Sequence, residues 1–113
     1  MSECLFCKLA SGEIPSKRVY EDDDILAFHD ISPQAPVHVL IIPRRHLSSL
    51  DDAGDGDAEL LGRLLLVARR LAGELGVAGG YRVVNNCGES AGQSVFHVHF
   101  HLLGGRPLGW PPG

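Results

Sequence analysis

Residues 97–103 read His-Val-His-Phe-His-Leu-Leu, and this run restricts the fold more tightly than any other part of the chain. Apolar and imidazole side chains alternate with period two, the period of a β-strand, in which successive side chains point to opposite faces. As a strand, the run sends Val98, Phe100 and Leu102 into a core and lines His97, His99 and His101 along the other face. It therefore needs a sheet to pair with, an apolar layer behind it and a polar space in front. One histidine in a strand is ordinarily structural; three at strict period two beside a polar loop form a chemical face.

The remaining sequence supplies the sheet. Lys17–Tyr20, Ile25–His29 and Val37–Ile42 are rich in β-branched and aromatic residues and read as strands. The acidic residues 21–24 form a turn between the first two, Pro33 and Pro36 precede the third, and Pro43 ends it. Tyr81–Asn86 and Val95–Leu103 read as two further strands. Between Ala58 and Leu75, leucines, valine and alanines recur at helical spacing, giving one long amphipathic helix closed by Gly76. Cys4–Ala10 reads as a short helix stopped by Gly12 and Pro15, and the tail 104–113 is irregular. The expectation is an α+β chain: a mostly antiparallel five-stranded sheet with one long and one short helix, in a single domain over residues 1–113. A chain of 113 residues buries roughly 65% of its unfolded surface, enough for one core without disulfide staples.

Composition narrows the function. Ten basic against fourteen acidic residues give a formal net charge of −4, which argues against binding to a nucleic-acid backbone. No apolar run approaches the roughly 20 residues that span a bilayer. The opening MSECLFCKLASGEIP carries no positively charged leader, so a cytoplasmic protein is expected. Three cysteines in such a chain argue against a disulfide framework. Cys4 and Cys7 share a C-x-x-C spacing that serves redox pairs and metal knuckles alike. Two thiolates need two more ligands to close a tetrahedral metal site.

His97–Leu103 is similar to the histidine-triad motif, in which three histidines alternate with apolar residues. Asp30-Ile31-Ser32-Pro33-Gln34-Ala35-Pro36, His38, Ile42-Pro43-Arg44-Arg45-His46, Asn86, Gly92-Gln93-Ser94-Val95 and Trp110-Pro111-Pro112-Gly113 resemble the Hint branch of that family. The resemblance runs from Cys4 to the last residue. It implies the histidine-triad fold, a homodimer, and a phosphoramidase that cleaves the P–N bond of purine nucleoside 5′-phosphoramidates through a nucleotidyl-histidine. A related branch hydrolyses dinucleoside polyphosphates.

By resemblance, His99 is the nucleophile, His101 contacts the phosphate oxygens, and Gly92, Gln93 and Ser94 surround the phosphate and leaving group. A neutral imidazole suits this chemistry, because a covalent intermediate splits one hard displacement into two easier ones. The resemblance also places Asp30 on the ribose hydroxyls, Phe28 and Ile31 around the base, Asn86 on the ribose and phosphate side, and His38 behind the triad. His46 and His97 match the histidines that complete a structural zinc site with Cys4 and Cys7 in the zinc-bearing subset. The long helix and Tyr81–Asn86 would meet the partner subunit, and Trp110 in the tail would reach the partner's site. Phe96 stands where some relatives have tyrosine. His29 and Cys87 receive no role, and Arg44 and Arg45 read as a solvated charge pair. Two other classes compete: a regulatory nucleotide-binding module with incidental hydrolysis, and a small zinc adaptor. The adaptor leaves Asp30, Asn86, Ser94, His99 and His101 unexplained.

Overall fold

The structure, a computed structural model, describes residues 4–113; residues 1–3, on which the leader reading partly rests, lie outside them. The first helix, α1 (Leu5–Ser11), is capped by Cys4, whose Sγ accepts from the Cys7 N–H at 3.4 Å, and ends at Gly12 in the left-handed region at φ 84°. Strands β1 (Arg18–Glu21), β2 (Ile25–His29) and β3 (Val37–Pro43) follow. The long helix α2 (Ala58–Glu74) precedes β4 (Tyr81–Val84) and β5 (Phe100–Gly104). All neighbouring strands are antiparallel, in the order β1-β2-β3-β5-β4. This is the expected α+β architecture.

The sheet separates two apolar layers. Ile25, Ala27, Val39, Ile41, Phe100 and Leu102 pack on one face against Leu64, Val67, Ala68 and Leu71 of α2. On the other face, Leu26, Phe28, Leu40 and Ile42 pack against Phe6, Leu9 and Ala10 of α1. Strands β2 and β3 are buried on both faces, so their apolar runs are continuous rather than alternating. Helix α2 packs across one face, while the seven-residue α1 covers only part of the other. The uncovered part is where a cavity forms.

Two strands are shorter than their sequence pattern. The last strand begins at Phe100 rather than Val95. In continued register with β3, where Ile41 faces Phe100, the residue opposite Val98 is Pro43, which has no N–H for a ladder. The Val98 N–H instead donates to the Leu47 carbonyl at 2.6 Å. Likewise β4 stops at Val84 rather than Asn86, and the Asn85 side chain donates to the His99 carbonyl at 2.8 Å in place of a backbone pair. The alternation nevertheless persists: Val98, Phe100 and Leu102 are buried on the core side. Arg44 is not a solvated charge. It donates to the Ala10 carbonyl at 2.6 Å and the Asp22 carbonyl at 2.8 Å, tying the end of α1 to the β1–β2 turn. Arg45 pairs with Asp57. Among the described residues no helix is long and apolar enough to cross a membrane.

Candidate active site and metal cluster

The cavity has a volume of about 1140 Å³. Its walls come from α1 and the segment after it (Leu5, Phe6, Leu9, Ile14), from β2 and its exit (Phe28, Asp30, Ile31), and from His38, Ser94, His99 and His101. One end is apolar and the other is built of imidazoles. Ile31 is 99% exposed at the rim, an apolar side chain that only a ligand or partner would cover.

Three histidines have ring nitrogens committed to the protein, which sets where each ring carries its proton. Nδ1 of His99 lies 2.8 Å from the His97 carbonyl. A carbonyl only accepts, so Nδ1 carries the proton and the neutral ring keeps a lone pair on Nε2. On His38, Nδ1 accepts the Gln34 N–H at 3.0 Å, leaving the proton on Nε2. That Nε2 donates to Nδ1 of His101 at 2.9 Å, so His101 holds its own proton on Nε2. Asp30 Oδ2 sits 3.5 Å from His38 Nε2, and Asp30 Oδ1 accepts the Ser32 N–H at 2.7 Å. The Asp30 turn thus fixes the carboxylate beside the relay.

Burial holds His38, His99 and His101 below the usual histidine range. For His101 desolvation, then repulsion from His99 and His38, lowers the pKa to about 4. All three rings are therefore neutral at pH 7. Phe6 stands edge-on to His99 with centroids 5.0 Å apart, and to Phe28 at 5.7 Å. This aromatic contact keeps water off one side of the His99 ring.

A second cluster lies directly upstream. The ligand atoms of Cys4, Cys7, His46 and His97 all fall within 4.8 Å of one another. Nδ1 of His97 is 3.2 Å from Nδ1 of His46, 3.4 Å from Sγ of Cys4 and 3.5 Å from Sγ of Cys7, and the Cys7–His46 separation is 3.4 Å. A tetrahedral ion with zinc-like bond lengths requires edges of about 3.3 Å between nitrogens and about 3.5 Å from nitrogen to sulfur. The donors fit. The His97 Nε2 donates to the Pro43 carbonyl at 2.7 Å, which leaves the Nδ1 lone pair directed at the cluster. Asp30, His38 and His101 also converge, but His38 Nε2 carries a proton there and has no lone pair for an ion.

The structure thus gathers Phe28, Asp30, Ile31, His38, Ser94, His99 and His101 around one cavity, and Cys4, Cys7, His46 and His97 into one cluster. Asn86, Gly92 and Gln93 are not in the cavity wall. Asn86 donates to the Ala91 carbonyl at 2.7 Å. Gln93 is buried, accepting from Gly88 N–H and donating to the Ser48 and Val95 carbonyls. The Gly92 and Gln93 N–H groups donate to the Glu89 and Gly88 carbonyls within the loop. These residues shape the loop that presents Ser94, and Gly92 can do so because it takes φ 95°. Trp110 is 85% exposed and outside the cavity. Sequence reasoning missed Phe6 and Asn85, whose roles arise from contacts between distant segments.

The HIT domain family model matches residues 11–108. The chain is 52% identical over 111 residues to an uncharacterised HIT-like protein of Synechocystis, covering 98% of this chain and 97% of that one. It is 50% identical over 114 residues to the adenylylsulfatase HINT1 of Arabidopsis thaliana, covering 99% and 78%. Among solved structures, a HIT family hydrolase from Legionella pneumophila matches with a TM-score of 0.97 at 54% identity, covering 98% of this chain and all of that one.

Proposed function

The chain belongs to the HIT (histidine triad) family of hydrolases, and from that premise we propose that it cleaves the P–N bond of purine nucleoside 5′-phosphoramidates through a nucleotidyl-His99 intermediate. The observation that carries this reading is the pinned tautomer of His99. Its Nδ1 is held by the His97 carbonyl, so the Nε2 lone pair is available to attack phosphorus without prior deprotonation. The His101 Nε2–H faces the developing charge on the phosphoryl oxygens, as the His38 relay requires. As the P–N bond breaks, the departing amine takes the Ser94 hydroxyl proton, which solvent replaces and which the attacking water gives back to solvent in the second step. Water then displaces the nucleotide from His99, releasing the nucleoside monophosphate and restoring the neutral ring. Asp30 accepts from the ribose hydroxyls, and the base lies between Phe28 and Ile31.

The adenylylsulfatase relative favours a second leaving group, sulfate, on the same adenylyl-His99. Phosphoramidate and phosphosulfate differ only beyond the phosphorus, on the side assigned to Ser94. Steady-state hydrolysis of adenosine 5′-phosphoramidate, adenosine 5′-phosphosulfate and a diadenosine polyphosphate separates the readings. Preference for the phosphoramidate is expected; turnover of the dinucleotide alone would overturn the proposal.

We also propose that Cys4, Cys7, His46 and His97 hold one zinc ion per chain. Four protein ligands leave no open position, so its role is structural, and elemental analysis of purified protein tests it. A homodimer accords with the exposed Leu65 and Leu66 on α2 and with β4 at the sheet edge. In that assembly Trp110 would approach the partner's cavity. Light scattering at micromolar concentration tests the assembly, and relative rates across several amines after truncation beyond Gly109 test the tail.

A further inference from the structure

Ser16 Oγ is the one buried side-chain nitrogen or oxygen among the described residues that lacks a hydrogen-bond partner, and Ser16 is part of the cavity wall. Its place in the sheet gives the orphan a meaning. Arg18 faces Phe28 across the β1–β2 ladder, and the His29 N–H donates to the Lys17 carbonyl at 3.0 Å. Continuing that pairing sets Ser16 beside Asp30. Side chains two residues apart share a face, so Ser16 lies on the face of Arg18, Phe28 and Asp30, the face that carries α1 and the cavity.

Across that face the groups follow the strand order. His101 is on β5, His38 on β3, Asp30 at the end of β2, and Ser16 just ahead of β1. Adjacent strands are about 4.8 Å apart, so the line from His101 to Ser16 spans roughly 14 Å. A nucleotide with its phosphate at His99 and His101 and its ribose at Asp30, extended along this line, carries its base toward Ser16. Besides Lys17 and His29, which also line the cavity, the wall there is apolar: Leu5, Leu9, Ile14 and Phe28. A buried hydroxyl without a partner is unfavourable. A change between staggered χ1 wells turns it toward the cavity, where a ring nitrogen or exocyclic group of a purine supplies the missing bond.

We propose that Ser16 reads the edge of the purine base and is a specificity-determining residue of this site. The inference rests on the nucleotide reading above. It is tested by titration calorimetry of wild type and Ser16→Ala with adenosine 5′-monophosphate, uridine 5′-monophosphate and ribose 5-phosphate. The substitution removes one oxygen from a cavity wall, and a melting temperature at or above wild type confirms that the variant is folded. Loss of one neutral hydrogen bond predicts that adenosine 5′-monophosphate binds about three- to tenfold more weakly to the variant. Ribose 5-phosphate should be unaffected, and the preference for adenosine over uridine monophosphate should shrink by the same factor. Unchanged adenosine monophosphate affinity, or equal weakening of ribose 5-phosphate, would overturn the role of Ser16 while leaving the nucleotide site standing. Wild type that binds none of the three ligands would overturn the nucleotide reading itself.

Discussion

Replacing His38 with alanine is expected to separate two things that the structure joins, the stability of the β3 entry and the proton position on His101. His38 is buried, accepts the Gln34 N–H at 3.0 Å and donates to His101 Nδ1 at 2.9 Å. Its loss removes two hydrogen bonds, each worth about 1 kcal/mol, and a buried ring. Water from the adjoining cavity re-satisfies part of the deficit, so the net destabilisation should be about 2–3 kcal/mol. For a chain of this size that lowers Tm by roughly 10 °C. The catalytic effect is larger in kind. Without its donor, His101 is free to carry its proton on Nδ1, and the N–H aimed at the phosphoryl oxygens is lost for that fraction of molecules. Because the tautomers exchange rapidly, the chemical rate falls in proportion to the fraction that keeps its proton on Nε2. The loss approaches the full cost of one donor, on the order of 10²–10³, only as that fraction becomes small. Single-turnover rates measure the chemical step, and ¹⁵N spectra of the imidazoles report which nitrogen of His101 is protonated. Affinity for adenosine monophosphate should change only severalfold. A variant with the expected drop in Tm, His101 protonated mainly on Nδ1 and an unchanged chemical rate would refute the relay.

Further outcomes follow from the same geometry. His99→Ala should lose on the order of 10⁴-fold or more in turnover while still binding adenosine monophosphate; retention of a tenth of the rate would rule out a covalent role. Stripping the metal cluster with a chelator should lower stability by about 4 kcal/mol relative to protein in thousandfold excess of zinc over its Kd. It should also weaken nucleotide binding, because Cys4 and Cys7 anchor α1, whose Leu5, Phe6 and Leu9 wall the cavity; identical melting curves with and without metal would contradict the cluster's role. His101 has a folded-state pKa of about 4 against an unfolded value near 6.5. The unfolded chain therefore binds the extra proton between these values. Stability should be full above about pH 6.5 and fall by about 2–3 kcal/mol as the pH drops toward 4. Denaturant midpoints across that range should flatten in His101→Gln, and parallel curves for variant and wild type would exclude the assignment.

Much of this was readable in the sequence, for identifiable reasons. Period-two alternation at 97–103 fixed which side chains share a face, because pleating is a local property. The helix over 58–75 was legible from its spacing, and its observed end at Glu74 with Gly76 at φ 82° accords with the predicted stop. The strand ends were less legible. Pro43 was visible as the end of β3, but its effect on Val98, which lacks a ladder partner there, depends on the register between two strands far apart in sequence. The bonding inside the 88–93 loop was not legible either: the Gly92 N–H is taken by the Glu89 carbonyl, and composition does not reveal internal hydrogen bonds. Ser16 looked like an ordinary residue between Pro15 and Lys17; only its burial without a partner distinguishes it.

The motif also leaves unstated why three chemically identical side chains would do three different things. In the structure the difference comes from what holds the second ring nitrogen. His97 and His99 each donate to a carbonyl, of Pro43 and of His97, and so each keeps a lone pair, one directed at the thiols and one available for phosphorus. His101 is held by an N–H, that of His38, and so keeps a proton to give. The His38 proton is itself fixed by the Gln34 N–H. Carbonyl partners therefore make nucleophiles and ligands, and an N–H partner makes a donor. The His97 residue links the two sites, because its ring faces the thiols while its carbonyl orients the His99 imidazole. An ion held by that ring would steady the peptide on which the proposed nucleophile depends, while standing outside the reaction.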